Sequence, residues 1–129
     1  DDYIKKEEIE IDKNNKKIKK TLYWSFPEIM IITLKRFNDN LKKNNIFVKY
    51  PMDNLDMSEY VCGYNKKSYI YELYGVCNHT GNVSGGHYFS YIKNANNKWY
   101  KMNDLEVKEI KNDEIVTNMG YCLFYRKKK

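Results

Sequence analysis

SGGHYFSYIKNANNKWYKMNDLEV, residues 84–107, is the stretch whose pattern decides the fold of this chain. Tyr88–Lys93 and Lys98–Asn103 are rich in the aromatic and β-branched residues typical of strands. The Asn-rich residues 94–97 between them are typical of a turn, and a connection this short permits only antiparallel pairing. We therefore predict a β-hairpin within an antiparallel sheet.

The predicted hairpin also brings polar side chains together. Its turn lies midway between His87 and Asn103, so near-symmetric arms place Asn103 opposite His87. A catalytic histidine needs a carboxylate or amide partner that fixes its orientation, and Asp104 follows directly. Gly85 and Gly86 lack side chains and would let an extended substrate approach. The stretch is a candidate half of a catalytic site, unless the glycines simply form a turn and the histidine is a half-buried strand residue.

The flanking sequence predicts more strands and little helix. Alternating or continuous apolar patterns predict strands over Glu28–Phe37, Ile46–Val48, Ser68–His79, Glu106–Ile110 and Gly120–Arg126. The nearly continuous apolar start of the first predicts a central strand covered on both faces. A helical turn within Met52–Val61, a turn over residues 62–67 and a short helix over Asn112–Asn118, capped by Asn112, complete the prediction. The fold class is therefore α+β with a mainly antiparallel sheet.

Length and charge restrict the classes of function. A chain of 129 residues is one domain's worth of sequence. The net charge of +6 comes mostly from lysine, without the clustered Arg and Lys of a nucleic-acid reader, so we expect a solvated basic surface. No apolar run approaches the roughly 20 residues of a membrane helix, and the start of the chain does not resemble a signal peptide. Because it begins at Asp1 without Met, we expect a piece of a longer chain.

The three cysteines indicate neither a disulfide framework nor a zinc ribbon. Cys62, Cys77 and Cys122 make an odd count without a CxxC pair, so we expect a reducing compartment, the cytoplasm or nucleus. Cys77 and Cys122 lie in apolar strands and are expected to be inert core residues. Cys62 lies in a turn, but nothing near it resembles an activating site.

His79 is the second histidine of the chain and a competing candidate for the base. No amide or carboxylate is set opposite it by a simple hairpin, so a structural hydrogen bond is the preferred interpretation. Together with Cys62, Cys77 and His87 it could be grouped as a zinc site. However, the C-x-H pattern lacks the usual chelate spacing, so no metal site is predicted.

Five ordered motifs between Pro27 and Tyr125 resemble those of the ubiquitin-specific proteases, papain-like cysteine deubiquitinases. They read PEIMIITLKRF, VKYPMDNLDMSEYV, YELYGVCNHTGNVSGGHYFSYIK, KWYKMNDLEV and GYCLFYRK. The resemblance implies a papain-like cysteine protease fold, here mainly the antiparallel-sheet palm half with part of the fingers. Residues 1–26 would be a charged N-terminal segment, a candidate remnant of the fingers, and residues 27–129 the C-terminal part of the palm.

The resemblance also implies roles for individual residues. His87 matches the general base, Asn103 the residue that orients it, and Asp104 a supporting acidic residue. The channel for the ubiquitin tail would be bordered by Gly85, Gly86 and Tyr88. The implied reaction is thiol-dependent hydrolysis of the (iso)peptide bond after the C-terminal glycine of ubiquitin. It needs no cofactor, and the implied partners are ubiquitin and ubiquitinated proteins.

One departure from the family matters for the mechanism. The N-x-G-x-x-C-[YF] box with the nucleophilic cysteine is absent, as are the Q box and the zinc-binding CxxC pairs. We therefore expect upstream sequence of the same catalytic domain to supply the nucleophile, and this chain to be inactive alone. A non-catalytic ubiquitin-binding or scaffold domain is the alternative. A nucleic-acid binder is a third hypothesis, although the tyrosines alternate as core residues would; neither nucleic acid nor membrane is a predicted partner.

Overall fold

Antiparallel strands make up most of the regular structure. A computed structural model describes residues 7–12, 15–19, 22–63 and 68–129. The strands in these ranges are β1 Glu7–Asp12, β2 Asn15–Lys19, β3 Ile29–Thr33, β4 Leu55–Asp56, β5 Ile70–Gly81, β6 Gly86–Lys93, β7 Trp99–Asn103, β8 Glu106–Ile110 and β9 Gly120–Lys127. Among the described residues, the only helical elements are two 3₁₀ turns, Ser58–Tyr60 and Asn112–Glu114. No helix in these ranges is long and apolar enough to cross a membrane.

The strands form a small and a large sheet. β1 and β2 pair with each other. The large sheet has seven strands in the order β3-β9-β5-β6-β7-β8, with the short β4 beside the start of β5. Every strand pairing in the large sheet is antiparallel. The predicted central hairpin is confirmed as β6–β7, with pairs from Ser90–Met102 to Lys93–Trp99.

One face of the large sheet carries the core. The strand residues on this face pack against residues of the two segments that precede β5 and β9. The buried apolar residues are Met30, Tyr50, Val61, Tyr69, Tyr71, Leu73, Val76, Tyr91, Trp99, Ile115, Leu123 and Tyr125. Aromatic rings supply half of this set, so a chain of modest hydrophobic content still buries a large apolar area.

Tyrosine hydroxyls fasten the covering segments to the sheet. Tyr125 donates a hydrogen bond to the carbonyl of Pro51 at 2.7 Å, and Tyr71 donates one to the carbonyl of Pro27 at 2.6 Å. Tyr50 donates to the carbonyl of Ile115 at 2.8 Å. Burial raises the pKa of Tyr71 to about 12, so this hydroxyl stays a neutral donor.

The opposite face of the sheet is open at the β3 edge, whereas near the β5–β6 loop it is covered around the buried His79. Ile29 and Ile31 on β3 are 44% and 58% exposed. Beside them on β9, Phe124 and Cys122 are half-buried, followed by Cys77 on β5. An exposed apolar strip of this kind differs from the alternation of apolar and polar faces usual in a solvated antiparallel sheet.

Several predictions of individual elements need correction. The predicted strand over Glu28–Phe37 is shorter and, among the described strands, pairs with β9 alone. Because Ile29 and Ile31 are exposed on one of its faces, the predicted coverage of both faces was wrong. The predicted strand over Ile46–Val48 is not formed. These residues are exposed and pair with none of the described strands. The helix over Asn112–Asn118 shrinks to a 3₁₀ turn that follows Lys111 rather than a cap at Asn112, as the buried Ile115 draws the chain into the core.

Other predictions were confirmed or lie partly outside the described ranges. The turn within Met52–Val61 is the first 3₁₀ turn, and β8 has its predicted bounds. The turn over residues 62–67 is described only as far as Gly63. The division into residues 1–26 and 27–129 stays a prediction; residues 1–6, 13, 14, 20 and 21 lie outside the described ranges.

Candidate active site

The loop between β5 and β6 sets the position of His87. The side-chain oxygen of Asn82 accepts hydrogen bonds from the backbone amides of Ser84 and Gly85, at 3.0 and 2.9 Å. Gly81 has φ of +88°, and a Cβ at this position would lie 2.5 Å from the carbonyl oxygen of Gly85. The chain can therefore reverse tightly here, and β6 begins one residue before His87.

The two adjacent glycines differ in their surroundings. A Cβ on Gly86 would collide with the ring of His79 and lie 2.9 Å from the carbonyl oxygen of Thr80. A Cβ on Gly85 would have no heavy atom within 4 Å. Position 86 therefore requires a glycine, because the His79 ring occupies the space that a side chain would need. Only Gly85 leaves open space for another molecule.

His87 and Asn103 are in contact, as the hairpin predicts. His87 Nε2 lies 2.6 Å from Asn103 Oδ1. An amide oxygen only accepts hydrogen bonds, so Nε2 must carry the hydrogen and donate it. In the neutral ring the other nitrogen, Nδ1, then holds the free lone pair. The contact thus selects the tautomer in which Nδ1 is the base.

The register corrects one detail of that prediction. The β6–β7 ladder ends at Ser90–Met102, and its continuation sets Asn103 opposite Phe89 rather than His87. His87 itself pairs with Thr80 of β5. His87 and Asn103 are therefore diagonal neighbours on one face, a separation that a long side chain can span.

Asp104 lies next to this pair at the tip of the β7–β8 hairpin. Its carboxylate Oδ2 is 3.9 Å from His87 Nε2, and its side chain is 78% exposed. The φ of Asp104 is +52°, a left-handed conformation that aspartate tolerates better than most residues. The turn closes with the pair Asn103–Glu106, which fixes Asn103 at the end of a regular strand.

His79 projects from the opposite face of the sheet. It pairs with Tyr88, whereas the next pair along the ladder is Thr80–His87, and successive strand residues face opposite sides. Its buried ring packs against Tyr88, with centroids 4.6 Å apart, and against Phe37 and Tyr121.

The buried surroundings of His79 differ from the predicted structural hydrogen bond. Nδ1 has no hydrogen-bond partner among the described residues. Its backbone carbonyl accepts a hydrogen bond from Lys43 Nζ at 2.7 Å. Burial, and secondly the charge of Lys43, lowers the pKa of the ring. His79 is therefore held neutral and acts mainly through aromatic packing.

A groove of about 570 Å³ lies beside the loop. It brings together the three predicted channel residues, Gly85, Gly86 and Tyr88. The rest of its lining consists of Phe37, Leu41, His79, Asn82, Val83 and Ser84. Sequence reasoning did not single out Phe37 or Leu41. Two sequence signals were available: Phe37 ends the PEIMIITLKRF motif, and Leu41 is a lone apolar residue in a polar loop. In the structure Leu41 has φ of +60°.

Arg36 anchors the wall of the groove that carries Leu41. Its buried side chain donates from Nε to the carbonyl of Gly120 at 2.6 Å and from Nη1 to the carbonyl of Ile46 at 2.9 Å. Desolvation by burial lowers the pKa of this guanidinium. These hydrogen bonds join the loop after β3 to the start of β9 and so fix the position of the loop relative to the sheet.

The cysteines do not complete the site. No hydrogen bond joins a cysteine to His87 in the part of the chain that the structure describes. Cys62 is exposed, whereas Cys77 and Cys122 are half-buried on the open face, not in the core as predicted. Within the described ranges, no three His, Cys, Asp or Glu side chains are grouped to hold a metal ion.

Comparison with known proteins identifies the family. A sequence profile described as ubiquitin carboxyl-terminal hydrolase matches residues 3–125. The chain belongs to the ubiquitin carboxyl-terminal hydrolase family. The predicted membership of the ubiquitin-specific protease type is thereby confirmed.

Relatives of this hydrolase family are much longer than the chain. It is 40% identical to ubiquitin carboxyl-terminal hydrolase 8 of Arabidopsis thaliana, over 85% of the chain and 13% of that protein. It is 40% identical to ubiquitin carboxyl-terminal hydrolase 4 of Pongo abelii, over 90% of the chain and 12% of that protein. The chain therefore spans about an eighth of these relatives' length.

A solved structure supports the same family assignment at the level of fold. The SAGA Ubp8/Sgf11/Sus1/Sgf73 DUB module bound to ubiquitin aldehyde contains a chain that matches with a TM-score of 0.84 and 28% identity. The match covers 99% of the present chain and 32% of that chain. The predicted papain-like fold, with the antiparallel palm half of a ubiquitin-specific protease catalytic domain, is thus confirmed.

Proposed function

We propose that this chain is the C-terminal, histidine-bearing part of a thiol-dependent deubiquitinase. The complete enzyme would hydrolyse the (iso)peptide bond after the C-terminal glycine of ubiquitin. In this proposal His87 is the general base and Asn103 orients it. The nucleophilic cysteine comes from upstream sequence of the same catalytic domain, and the chain has no hydrolase activity alone.

The 2.6 Å contact between His87 Nε2 and Asn103 Oδ1 carries the proposal. It leaves Nδ1 as the nitrogen with a free lone pair, which is the group that a thiol nucleophile needs beside it. A base must lie within hydrogen-bond reach of the proton it removes. The ring is 47% exposed, so another part of the domain has access to it.

The first half of the proposed reaction forms an acyl-enzyme. Nδ1 of His87 takes the thiol proton, and the thiolate attacks the carbonyl carbon of ubiquitin's terminal glycine. The imidazolium that results is held by Asn103 and faces the carboxylate of Asp104 across 3.9 Å. It then gives its proton to the departing amine as the C–N bond breaks.

The second half releases ubiquitin. His87 removes a proton from water, which attacks the thioester carbonyl, and the thiolate leaves and is reprotonated. Asn103 keeps Nδ1 aimed at the reacting atoms in both halves. Asp104 contributes only a supporting charge in this scheme, because its carboxylate is largely exposed and therefore screened by solvent.

The groove beside the loop is the proposed channel for the ubiquitin tail. Phe37, Leu41 and Tyr88 give it an apolar lining suited to the leucine of the tail sequence Leu-Arg-Gly-Gly. Gly85 offers open space where the terminal glycines would pass toward His87. Ubiquitin and ubiquitinated proteins are the proposed partners, and the cytoplasm or nucleus is the proposed location.

The test supplies the missing half of the domain. The upstream segment with its cysteine is co-expressed with this chain, or fused to it, and cleavage of a fluorogenic ubiquitin amide is measured under reducing conditions. We expect turnover from the combination and none from either part. The same combination with the nucleophile changed to alanine is the control.

The outcome separates the two functions considered. Absence of cleavage by a well-folded combination that contains the cysteine would reject the hydrolase proposal. If the upstream sequence has no cysteine at the nucleophile position, but the combination binds ubiquitin, the non-catalytic ubiquitin-binding domain is favoured instead.

A further inference from the structure

Two of the three free cysteines face each other across neighbouring strands. Cys77 on β5 and Cys122 on β9 are a directly paired couple in the antiparallel ladder. Both are free thiols and both are half-buried. The third thiol, Cys62, lies before β5 and is exposed. The catalytic scheme above uses none of them.

The pairing brings the two side chains to the same side of the sheet. The preceding pair, Val76–Leu123, is fully buried in the core, so Cys77 and Cys122 project from the opposite, open face. Directly opposed residues in antiparallel strands have Cα atoms roughly 4.5 or 5.5 Å apart, depending on the pair type. Both separations fall within the range of about 4.4–6.8 Å that a disulfide bridges.

Independent contacts support the closeness of the sulfur atoms. Burial raises the pKa of the Cys77 thiol, and the neighbouring Cys122 raises it further. On the other side of β9, Thr33 pairs with Cys122, and Thr33 Oγ1 lies 3.5 Å from Cys122 Sγ. Cys122 therefore lies between Thr33 and Cys77, and the Cys77–Cys122 pair is the last one before a register shift in the β5–β9 ladder.

We propose that Cys77 and Cys122 form a redox-active dithiol that a peroxide closes to a reversible disulfide. One thiolate attacks an oxygen of hydrogen peroxide, which gives a sulfenic acid and, after protonation, one water. The other thiol attacks the sulfenic sulfur, the S–S bond forms, and a second water leaves. The two thiols lose two protons and two electrons in total, and the peroxide is reduced to two waters.

The position of the dithiol connects it with the groove. Cys77 lies two residues before His79 on the same face of β5, and Cys122 follows Tyr121, whose ring packs against His79. A disulfide would link the central strands directly beside this aromatic cluster. Because the readout below is the mass of the protein and its linked peptides, the inference does not depend on the proposed hydrolase function.

The experiment follows oxidation of the whole chain. Reduced protein is treated with hydrogen peroxide, quenched and analysed without reductant by intact mass and peptide mapping. We expect a monomer that has lost two hydrogens, a fall from three free thiols to one, and a linked pair of peptides containing Cys77 and Cys122. Dithiothreitol should restore all three thiols.

Cysteine variants provide matched controls. Cys62→Ser should oxidise like the wild type, with no free thiol left. Cys77→Ser and Cys122→Ser should each keep both remaining thiols or gain oxygen without forming an internal disulfide. Either of these variants is sufficient, so poor folding of one leaves the test intact.

Three oxidation products would overturn the inference. They are a disulfide that involves Cys62, cross-linked dimers in place of a modified monomer, and oxygen addition at Cys77 or Cys122 without a link between them. Absence of any reaction at a peroxide concentration that modifies Cys62 would overturn it as well.

Discussion

His79 and His87 lie on adjacent strands, yet their side chains leave opposite faces of the sheet. His79 is buried among aromatic rings, and its Nδ1 has no partner in the described part of the chain. His87 is about half exposed and donates to an amide oxygen. The neighbours of each ring, rather than the histidine itself, therefore distinguish a packing residue from a candidate base.

Loss of His87 should produce the largest effect on catalysis. His87→Ala in the completed enzyme removes the proposed base, so we expect kcat/KM for a fluorogenic ubiquitin amide to fall about 10³-fold or more. The midpoint of urea unfolding should hardly change, because the ring is about half exposed. Lys108→Ala, at an exposed position of β8, is the control and should match the wild type in both assays. Retention of full activity by His87→Ala would exclude it as the base.

Changes at Asn103 should have a smaller effect and report on orientation. Asn103→Ala leaves the base in place but frees the ring, so we expect a loss of about 10-fold to 100-fold in kcat/KM, less than the loss of the base. Asn103→Asp keeps an acceptor and should remain active. An Asn103→Ala enzyme as inactive as His87→Ala would contradict a role limited to orientation.

The sequence allowed local features to be predicted well where one short segment determines them. The β6–β7 hairpin followed from strand composition on both sides of an Asn-rich turn, and its closure brought His87 to Asn103. The diagonal offset between these two residues could not be predicted, because it depends on the register, which shifts with the conformation of the turn. A positive φ at Asn97 is part of that conformation.

Features that depend on distant segments were predicted less well. The apolar run in PEIMIITLKRF indicated a strand, but the same pattern fits a central strand and an edge strand with one open face. The residues that line the groove come from the loop after β3, from the adjoining ends of β5 and β6 and from the connection between these strands, so only the folded sheet brings them together. The contact between Gly86 and the ring of His79 likewise depends on the pairing of β5 with β6.

The adjacent glycines offer a way to perturb the surroundings of one histidine alone. In Gly86→Ala the new methyl group meets the His79 ring and the carbonyl of Thr80, so we expect unfolding to become easier by about 1–3 kcal/mol. In Gly85→Ala the methyl group enters open space, and the free energy of unfolding should stay within about 0.5 kcal/mol of the wild type. Urea titrations of both variants measure the difference. Equal stability of the two would show that the ring of His79 does not pack as described.

The smallest expected effect is a pH dependence of stability that belongs to His79 alone. Burial, and then Lys43, lowers the pKa of its ring in the folded protein below the ordinary value of about 6.5. As pH falls below that value the unfolded chain takes up a proton that the folded protein resists, so stability at neutral pH is progressively lost. Urea unfolding at several pH values between 7.5 and 5 should therefore give free energies that decline with acidity.

One variant assigns that decline to His79. His79→Phe keeps an aromatic ring against Tyr88 and Tyr121 but cannot titrate, so its free energy of unfolding should fall less over the same pH range. The carboxyl groups of Asp56 and Glu72, whose pKa values are lowered in the folded state, lose their contribution only at lower pH, below this window. If the decline persisted unchanged in His79→Phe, the burial of a neutral His79 ring could not be its cause.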